Sequence, residues 1–221
     1  MDLIDATVAY VRHNLLTKGF GLVESYFSRS EISPLIEASA RMIDAWMCGQ
    51  TQDDDYWSCP SKNGQAVLYR IHNLQDSKHA EFDSFFKDER MQALVDALYG
   101  VPSKPTACAL VIKMPHNGVR VPWHRDPVNV PPRSTYNFSI FLDESNLENG
   151  CLEFLAGSHL TMDSEPIEDI RPVGVEALQA SPGDVAVHDV RVLHGSGGVR
   201  TGVIRRSIVV EFRPVWLELI Q

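Results

Sequence analysis

Residues Trp123-His124-Arg125-Asp126 carry the pattern that decides the fold and the chemistry of this chain. Side chains two positions apart in an extended strand lie on the same side, so His124 and Asp126 can reach one metal ion. Two histidines and one carboxylate form the facial triad that holds non-haem Fe(II) and leaves coordination positions open. The pattern therefore requires a second histidine from another part of the chain.

His194 is the candidate for that remaining ligand. It ends the valine-rich run 184–194, which follows a Pro-Gly turn and is predicted to be one strand. Gly195 lets the backbone turn close to the metal. His188 competes for the role because it shares a face with His194 on this predicted strand. Six residues of strand would hold the two histidines about 20 Å apart, so both cannot bind one ion, and the glycine and serine that follow favour His194.

A pair of arginines follows the second histidine. Residues 203–212 are predicted to be the next strand, antiparallel to the first, so that an arginine near its start returns beside His194. An arginine there can bind a carboxylate through two parallel hydrogen bonds. Arg205 and Arg206 point to opposite faces of a strand. Their offset from His194 favours Arg205 for the site and leaves Arg206 to solvent or to a salt bridge.

Short motifs run through most of the chain in an order that matches a known family. They are Gly19–Val23, Leu68–Arg70, Leu98–Gly100, Trp123–Asp126, Leu142–Asp143, Glu148–Leu152, Gly157–His159, Gly183–Asp184, His194–Ser196 and Arg205. Each motif alone is weak, but their order and spacing together are specific. The sequence resembles the phytanoyl-CoA dioxygenase-like branch of the Fe(II)- and 2-oxoglutarate-dependent oxygenases.

This resemblance implies roles for particular residues. His124, Asp126 and His194 would ligate Fe(II) and form the catalytic centre. Arg205 would bind the far carboxylate of 2-oxoglutarate, with Ser196 assisting.

Three further positions are those where the family often has side chains that contact the co-substrate: Lys113, Asn137 and Ser139. An ordinary role in lining the barrel fits these three equally well. The chain departs from the family at Val199, where an asparagine is usual, so the loop after Ser196 is expected to differ from the family pattern.

The resemblance also implies a reaction. Fe(II) held by three protein ligands accepts a bidentate 2-oxoacid and one O2 molecule, and the co-substrate leaves as succinate and CO2. The cofactors supply the chemistry, while the protein supplies orientation. A small-molecule substrate would be hydroxylated, desaturated or rearranged. The intact Asp126 argues against halogenation, because related halogenases leave that position free for chloride.

Helices are expected early in the chain and strands later. Apolar spacing predicts helices over 3–17 and 86–99, and Ser28 with Glu31 forms a capping box for another. This order favours a mainly β fold with flanking helices, and the resemblance implies a double-stranded β-helix, the jelly-roll core that cupins share. One domain, 1–221, is expected, with 1–104 as helical support and substrate-loop region and 105–221 as the core with the metal site.

The segment from Tyr56 to His72 is expected to fold over the iron. Within it, Tyr69, Arg70 and His72 are candidate substrate contacts. A surface loop that enters a strand is an equally good interpretation of this segment.

Composition narrows the classes of partner. The net charge of −9 argues against a nucleic-acid partner, because phosphate binding needs clustered Lys and Arg. The chain lacks an apolar run of 18 residues and a basic start, so a cytoplasmic protein without a membrane partner is expected. Four cysteines at scattered positions are expected to be reduced thiols. A monomer or a homodimer is compatible with these features.

Two alternatives remain open from the residues alone. One is an iron dioxygenase that activates its organic substrate directly and needs neither 2-oxoglutarate nor Arg205. The other is a non-catalytic, cupin-like metal-binding protein. Zinc is also compatible with two histidines and one aspartate, and the arginine after His194 is what favours iron with a 2-oxoacid.

Overall fold

The computed structural model describes residues 3–51, 53–61, 63–76, 79–115, 119–126, 131, 135–161 and 171–220. The described helices are α1 (Leu3–Thr17), α2 (Arg29–Met47), α3 (Ala80–Phe86), α4 (Glu89–Tyr99) and α5 (Ser158–Thr161), with short 3-10 helices at Leu74–Asp76 and Val215–Ile220. The described strands are β1 (Phe20–Val23), β2 (Tyr56–Pro60), β3 (Ala66–His72), β4 (Ser103–Lys113), β5 (Val121–His124), β6 (Tyr136–Phe141), β7 (Leu152–Leu155), β8 (Val175–Leu178), β9 (Val185–Asp189), β10 (His194–Ser196) and β11 (Arg205–Pro214).

The strands form two antiparallel sheets. The larger sheet has the order β1-β9-β6-β11-β4-β3-β2, and the smaller has the order β5-β10-β7-β8. Aromatic and aliphatic side chains from both sheets, including Phe20, Phe141 and Phe154, pack together between them. This arrangement confirms the predicted mainly β, jelly-roll fold with flanking helices.

Along the central strands of the larger sheet, side chains point alternately into the hydrophobic core and into the site. Phe138 and Ile140 of β6 and Ile208 of β11 join the cluster that also contains side chains of α1, α2 and α4. The residues between them, such as Ser139 and Ser207, line a cavity on the opposite face. Because successive side chains in a strand point to opposite faces, one face packs on helices and the other builds the site.

The run 184–194 is two strands rather than the predicted one. Strand β9 ends at Asp189 in the larger sheet, and β10 begins at His194 in the smaller sheet. A turn separates them, in which the backbone N–H of Val192 donates to the carbonyl of Asp189 at 3.0 Å. The chain therefore folds back, and the rings of His188 and His194 lie with centroids 4.7 Å apart instead of about 20 Å.

The predicted partner of the last long strand is also wrong. Strand β11 pairs with β4 and β6, not with the strand that carries His194. Arg205 therefore approaches the site from the larger sheet, while His194 approaches it from the smaller sheet. The two residues face each other across the interior of the barrel, which is why both line one cavity.

Polar capping residues fix the N-terminal ends of α2 and α4. Helix α2 has the predicted capping box, in which the backbone N–H of Ser28 donates to the Glu31 carboxylate at 2.7 Å. The predicted helix over 86–99 begins later, at Glu89, because the carboxylate of Asp88 accepts from the backbone N–H groups of Arg90 and Met91 and caps α4 there.

The predicted division of the chain at 104/105 needs revision. Strands β1, β2 and β3 and the beginning of β4 all belong to the larger sheet. The first half of the chain is therefore part of the barrel as well as its helical support. Among the described helices, none combines the length and the apolar character needed to cross a membrane. All four cysteines are free thiols.

Candidate active site

Strand pairing brings the predicted metal ligands together. His194 lies directly opposite His124 in the antiparallel ladder of β10 and β5. Asp126 follows β5 by two residues, and its backbone N–H donates to the carbonyl of Val190 at 3.0 Å. One ligand atom from each of the three side chains lies within 4.8 Å of the others.

The orientation of both histidines fits a metal. The Nδ1 of His124 lies 2.8 Å from the backbone carbonyl of Pro122. The Nδ1 of His194 lies 3.0 Å from the backbone carbonyl of Val192. A carbonyl only accepts hydrogen bonds, so each Nδ1 carries the proton and each Nε2 keeps its lone pair. These Nε2 atoms lie 3.7 Å and 3.9 Å from carboxylate oxygens of Asp126. Two ligands about 2.1 Å from one divalent ion lie at most about 4.2 Å apart, so both histidine–aspartate distances fit one ion.

Electrostatics favour the metal-binding forms of His194 and Asp126. Burial lowers the pKa of His194 to about 3, against the raising effect of Asp126. Burial raises the pKa of the Asp126 carboxyl, but His194, His188 and His124 together outweigh it and hold that pKa below its usual range. A neutral imidazole and an ionised carboxylate are the forms that bind metals.

Two side chains support the Asp126 carboxylate. The Nδ2 of Asn137 donates to its Oδ2 at 2.8 Å. The Nε2 of His188 lies 3.5 Å from the same oxygen, and its buried ring also packs against Phe154. Asn137 and His188 are neighbours in the register of β6 and β9, so they present side chains to one face. The sequence analysis considered His188 only as a competing ligand; a site face shared with Asn137 was the missed signal.

Arg205 is buried in the same cavity as the triad. Its side chain is 1% exposed, and one guanidinium nitrogen lies 3.4 Å from the hydroxyl of Ser145. Its Nε atom has no hydrogen-bond partner. Burial lowers the pKa of Arg205 to about 10. A buried guanidinium with unused donors fits a carboxylate ligand, and Ser196 lines the cavity with it.

Arg206 takes the opposite face, as strand alternation predicts. Its guanidinium forms two hydrogen bonds with the Asp143 carboxylate, at 2.7 and 2.8 Å, and donates to Ile36 and Ser39 of α2. This is the salt bridge that the sequence analysis gave as one of its two alternatives.

Lys113 lies beside Arg205 in the register of β4 and β11. Its ammonium donates to the carbonyls of Val119 and Gly197 at 3.1 and 3.0 Å. Burial, and then the charge of Arg205, lower the pKa of Lys113 to about 7. Lys113 therefore connects the loop before β5 to the loop after β10 at the Arg205 end of the site.

That second loop is packed tightly. Gly150 has a φ of +77°, and a Cβ built on it would lie 2.4 Å from the carbonyl oxygen of Gly197. Only glycine allows this approach. Val199, which departs from the family pattern, is 2% exposed, so its apolar side chain is buried in this loop.

The metal cavity has a volume of about 100 Å³. Of the predicted residues, Asn137, Ser139, Ser196, Arg70 and Arg205 line it together with the triad. The other lining residues are His188 and Gly195, which were not predicted to line the site, and Val111, Val121, Leu152, Ser207 and Val209, which no motif indicated as lining residues. Most of these are small or apolar strand residues, a type that no local motif distinguishes.

A larger cavity of about 310 Å³ adjoins the metal cavity. Its described lining is Cys59, Tyr69, Arg70, Val111, Ile112, Lys113, Val119, Arg120, Val121 and Pro122. Arg70, Val111 and Val121 line both cavities, so the two cavities share a wall there.

The segment from Tyr56 to His72 forms one wall of this region, as the β2–β3 hairpin rather than as a loop. Tyr69 and Arg70 line the larger cavity. His72 lines neither cavity; its ring packs against Trp57 with centroids 3.9 Å apart. A substrate contact from His72 stays a prediction.

Comparison with known proteins assigns the family. The family model for phytanoyl-CoA dioxygenase (PhyH) matches residues 16–207. The chain belongs to the phytanoyl-CoA dioxygenase family. This confirms the family expected from the ordered motifs.

Relatives agree with this assignment. A probable alpha-ketoglutarate-dependent hypophosphite dioxygenase from Stutzerimonas stutzeri is 28% identical to this chain. The alignment covers 89% of this chain and 75% of the relative. AviO1 from Streptomyces viridochromogenes Tue57 is 38% identical over 94% of this chain and 95% of its own, with a TM-score of 0.85. The epimerase SnoN, solved with Fe3+, alpha ketoglutarate and nogalamycin RO, shares the fold at 18% identity and a TM-score of 0.76, over 95% of this chain and 84% of its own.

The protein is therefore an Fe(II)- and 2-oxoglutarate-dependent oxygenase. The bound metal and co-substrate supply the oxidation, with 2-oxoglutarate converted to succinate and CO2 as O2 is consumed. In this member of the family, His124, Asp126 and His194 converge on one cavity, and Arg205 is buried in the same cavity.

Proposed function

We propose that His124, Asp126 and His194 hold the catalytic Fe(II) and that Arg205 binds the far carboxylate of 2-oxoglutarate, with Ser196 assisting. The observation that carries this proposal is a buried guanidinium, with an unpartnered Nε, in the same cavity as three convergent metal ligands. An uncompensated buried charge is costly. The carboxylate of a co-substrate removes that cost.

Asn137 and His188 act on the metal through Asp126. Both approach Oδ2 of the carboxylate, which favours Oδ1 as the atom that binds iron. Such supporting contacts fix the orientation of a ligand and tune its metal affinity. Ser139 contributes to the wall of the same cavity. Lys113 contributes through the two loop carbonyls that it binds and through its charge beside Arg205.

The larger cavity is the proposed site of a small-molecule substrate. Its volume of about 310 Å³ lies within the range of small-molecule sites, and it adjoins the metal cavity at Arg70. Tyr69 and Arg70 are the proposed substrate contacts. Hydroxylation, desaturation and rearrangement all begin with the same oxidising centre, and the substrate decides between them.

The remaining proposals concern the whole molecule. One domain, a monomeric or homodimeric state and a cytoplasmic location are proposed. Absence of a nucleic-acid partner is proposed from the net charge of −9.

A labelling experiment tests the proposed function. The Fe(II) protein is incubated with 2-oxoglutarate under 18O2, and succinate is analysed by mass spectrometry. One labelled oxygen is expected in succinate from the wild-type protein, and succinate should fall to the protein-free background in His194→Ala. Succinate formed equally by the variant would contradict the assignment of the metal ligands. Lys87→Gln, an exposed residue in an ion pair on α3, is the control.

A further inference from the structure

We propose that the larger cavity binds the oxyanion of an acidic substrate, a carboxylate or a phosphate, and that Arg70 is its principal contact. The inference rests on the proposed function, since it names the substrate class of the same site. It concerns the organic substrate and not the co-substrate.

Arg70 occupies the boundary between the two cavities and lines both of them. It lies on β3 opposite Val111 of β4, so both side chains face the barrel interior. Its Nε atom is buried and has no hydrogen-bond partner. Burial lowers the pKa of Arg70, against the raising effect of Asp126.

The anions already assigned to the site leave Arg70 without a partner. Asp126 is the one acidic side chain among the described residues that line either cavity, and it is a proposed metal ligand. Of the two carboxylates of 2-oxoglutarate, one belongs to Arg205 and the other chelates the metal. The partly buried guanidinium of Arg70 is therefore left as a donor for a third anion.

The described walls of the larger cavity contain no acidic residue. Residues 56–72 and 97–125, which supply all of its described lining, contain no Asp or Glu in a chain that has 29 of them. The cationic residues of its described lining are Arg70, Lys113 and Arg120. A cleft lined by one sign of charge attracts ligands of the opposite sign.

The rest of the lining describes the body of the ligand. Apart from the cationic groups, Tyr69 and Cys59, the described walls are valine, isoleucine and proline. This surface suits an apolar or aromatic body, and the cationic edge near Arg70 orients its acidic group. The carbon to be oxidised would then lie at the metal end.

Calorimetry with matched probes tests the proposal on the anaerobic Fe(II) protein saturated with 2-oxoglutarate. The probes are phenylacetate, phenyl phosphate and the neutral phenylacetamide, which has nearly the shape of phenylacetate. The proteins are wild type, Arg70→Lys, Arg70→Gln and Arg41→Gln. The last removes an arginine from the exposed surface of α2, where it pairs with Glu81, and serves as the matched control. The affinity for 2-oxoglutarate is measured in each protein as well.

We expect wild type and Arg41→Gln to bind phenylacetate or phenyl phosphate at least about tenfold more tightly than phenylacetamide. A hydrogen bond to a charged group contributes enough free energy for a tenfold difference in affinity. Arg70→Lys should retain part of this preference and Arg70→Gln should lose it, with the affinity for 2-oxoglutarate unchanged. Whichever anion binds better identifies a carboxylate or a phosphate.

Three outcomes would overturn the proposal. Neither anion binds the wild-type protein better than the neutral probe; Arg70→Gln keeps the preference; or Arg70→Gln weakens 2-oxoglutarate binding in parallel, which would assign Arg70 to the co-substrate. Failure of the proposed function is separate, because the wild-type protein would then fail to bind 2-oxoglutarate before any probe is added.

Discussion

The adjacent arginines Arg205 and Arg206 should respond to the same substitution in opposite ways. Arg206 and Asp143 form an ion pair whose side chains are 9% and 19% exposed. The Arg206 guanidinium also donates to Ile36 and Ser39, so it joins β11 to α2. Removing one partner of a buried pair costs about 3–5 kcal/mol, because the other charge is left unpaired. Arg206→Gln should therefore lower the melting temperature by about 10 °C.

Among the described residues, Arg205 has no acidic partner of this kind. The fall of its pKa to about 10 means that burial of the charged form costs roughly 3 kcal/mol of folding free energy. This cost is the upper bound on the stability that Arg205→Gln can gain. The variant should melt a few degrees higher than wild type. It should also bind 2-oxoglutarate about 100-fold more weakly, since two charged hydrogen bonds to a carboxylate are lost.

Two assays distinguish these effects. Chemical denaturation of the metal-free proteins gives the free energy of unfolding, and anaerobic calorimetry on the Fe(II) proteins gives the affinity for 2-oxoglutarate. Asp143→Ala serves as a second variant for the ion pair, because it should destabilise the protein by a similar amount. The reasoning fails if both arginine variants lose similar stability, or if folded Arg206→Gln binds 2-oxoglutarate as weakly as Arg205→Gln does.

Further predictions concern the support of the site. The pKa of Lys113 in the folded protein, about 7, lies below its unfolded value. The free energy of unfolding of the metal-free protein should therefore rise with pH from about 7 to about 10. Lys113→Gln should flatten this pH dependence in denaturation curves. The 2-oxoglutarate dianion favours protonated Lys113, so its binding just above pH 7 should take up protons in wild type but not in Lys113→Gln, as calorimetry in buffers of different ionisation enthalpy will reveal. Asn137→Ala should weaken Fe(II) binding by about 10- to 100-fold in a competition titration with a chelator, because Asp126 loses its donor at 2.8 Å; equal affinity would contradict this. Gly150→Ala should destabilise the protein more than Gly64→Ala, because both positions have a φ of +77° but only Gly150 would meet a neighbouring carbonyl, and equal losses in denaturant would refute the clash.

The sequence predicted those parts of the site that depend on local geometry. The two-residue spacing of His124 and Asp126 and the opposite faces of Arg205 and Arg206 follow from the period of an extended strand. The capping box of α2 is equally local, because Ser28 and Glu31 lie within one turn. The ordered motifs predicted the family, which the family match confirmed.

The contacts between sheets were beyond prediction from local patterns. The valine-rich run before His194 contains a turn that its composition does not indicate. His188 was therefore expected far from the metal, but it contacts Asp126. The pairing of β11 with β4 and β6 joins segments distant in sequence. Cavity walls at positions such as Val111 and Ser207 have no signature, since any strand contains such residues.

The most direct test of the central claim is anaerobic titration of the protein with Fe(II) and then with 2-oxoglutarate, followed by visible spectroscopy. The claim predicts one bound Fe(II), then a weak metal-to-ligand charge-transfer band when 2-oxoglutarate chelates it. The band should be absent in His194→Ala and should need about 100-fold more 2-oxoglutarate in Arg205→Gln. Iron binding without a band at saturating 2-oxoglutarate, or an unchanged band in His194→Ala, would contradict the claim.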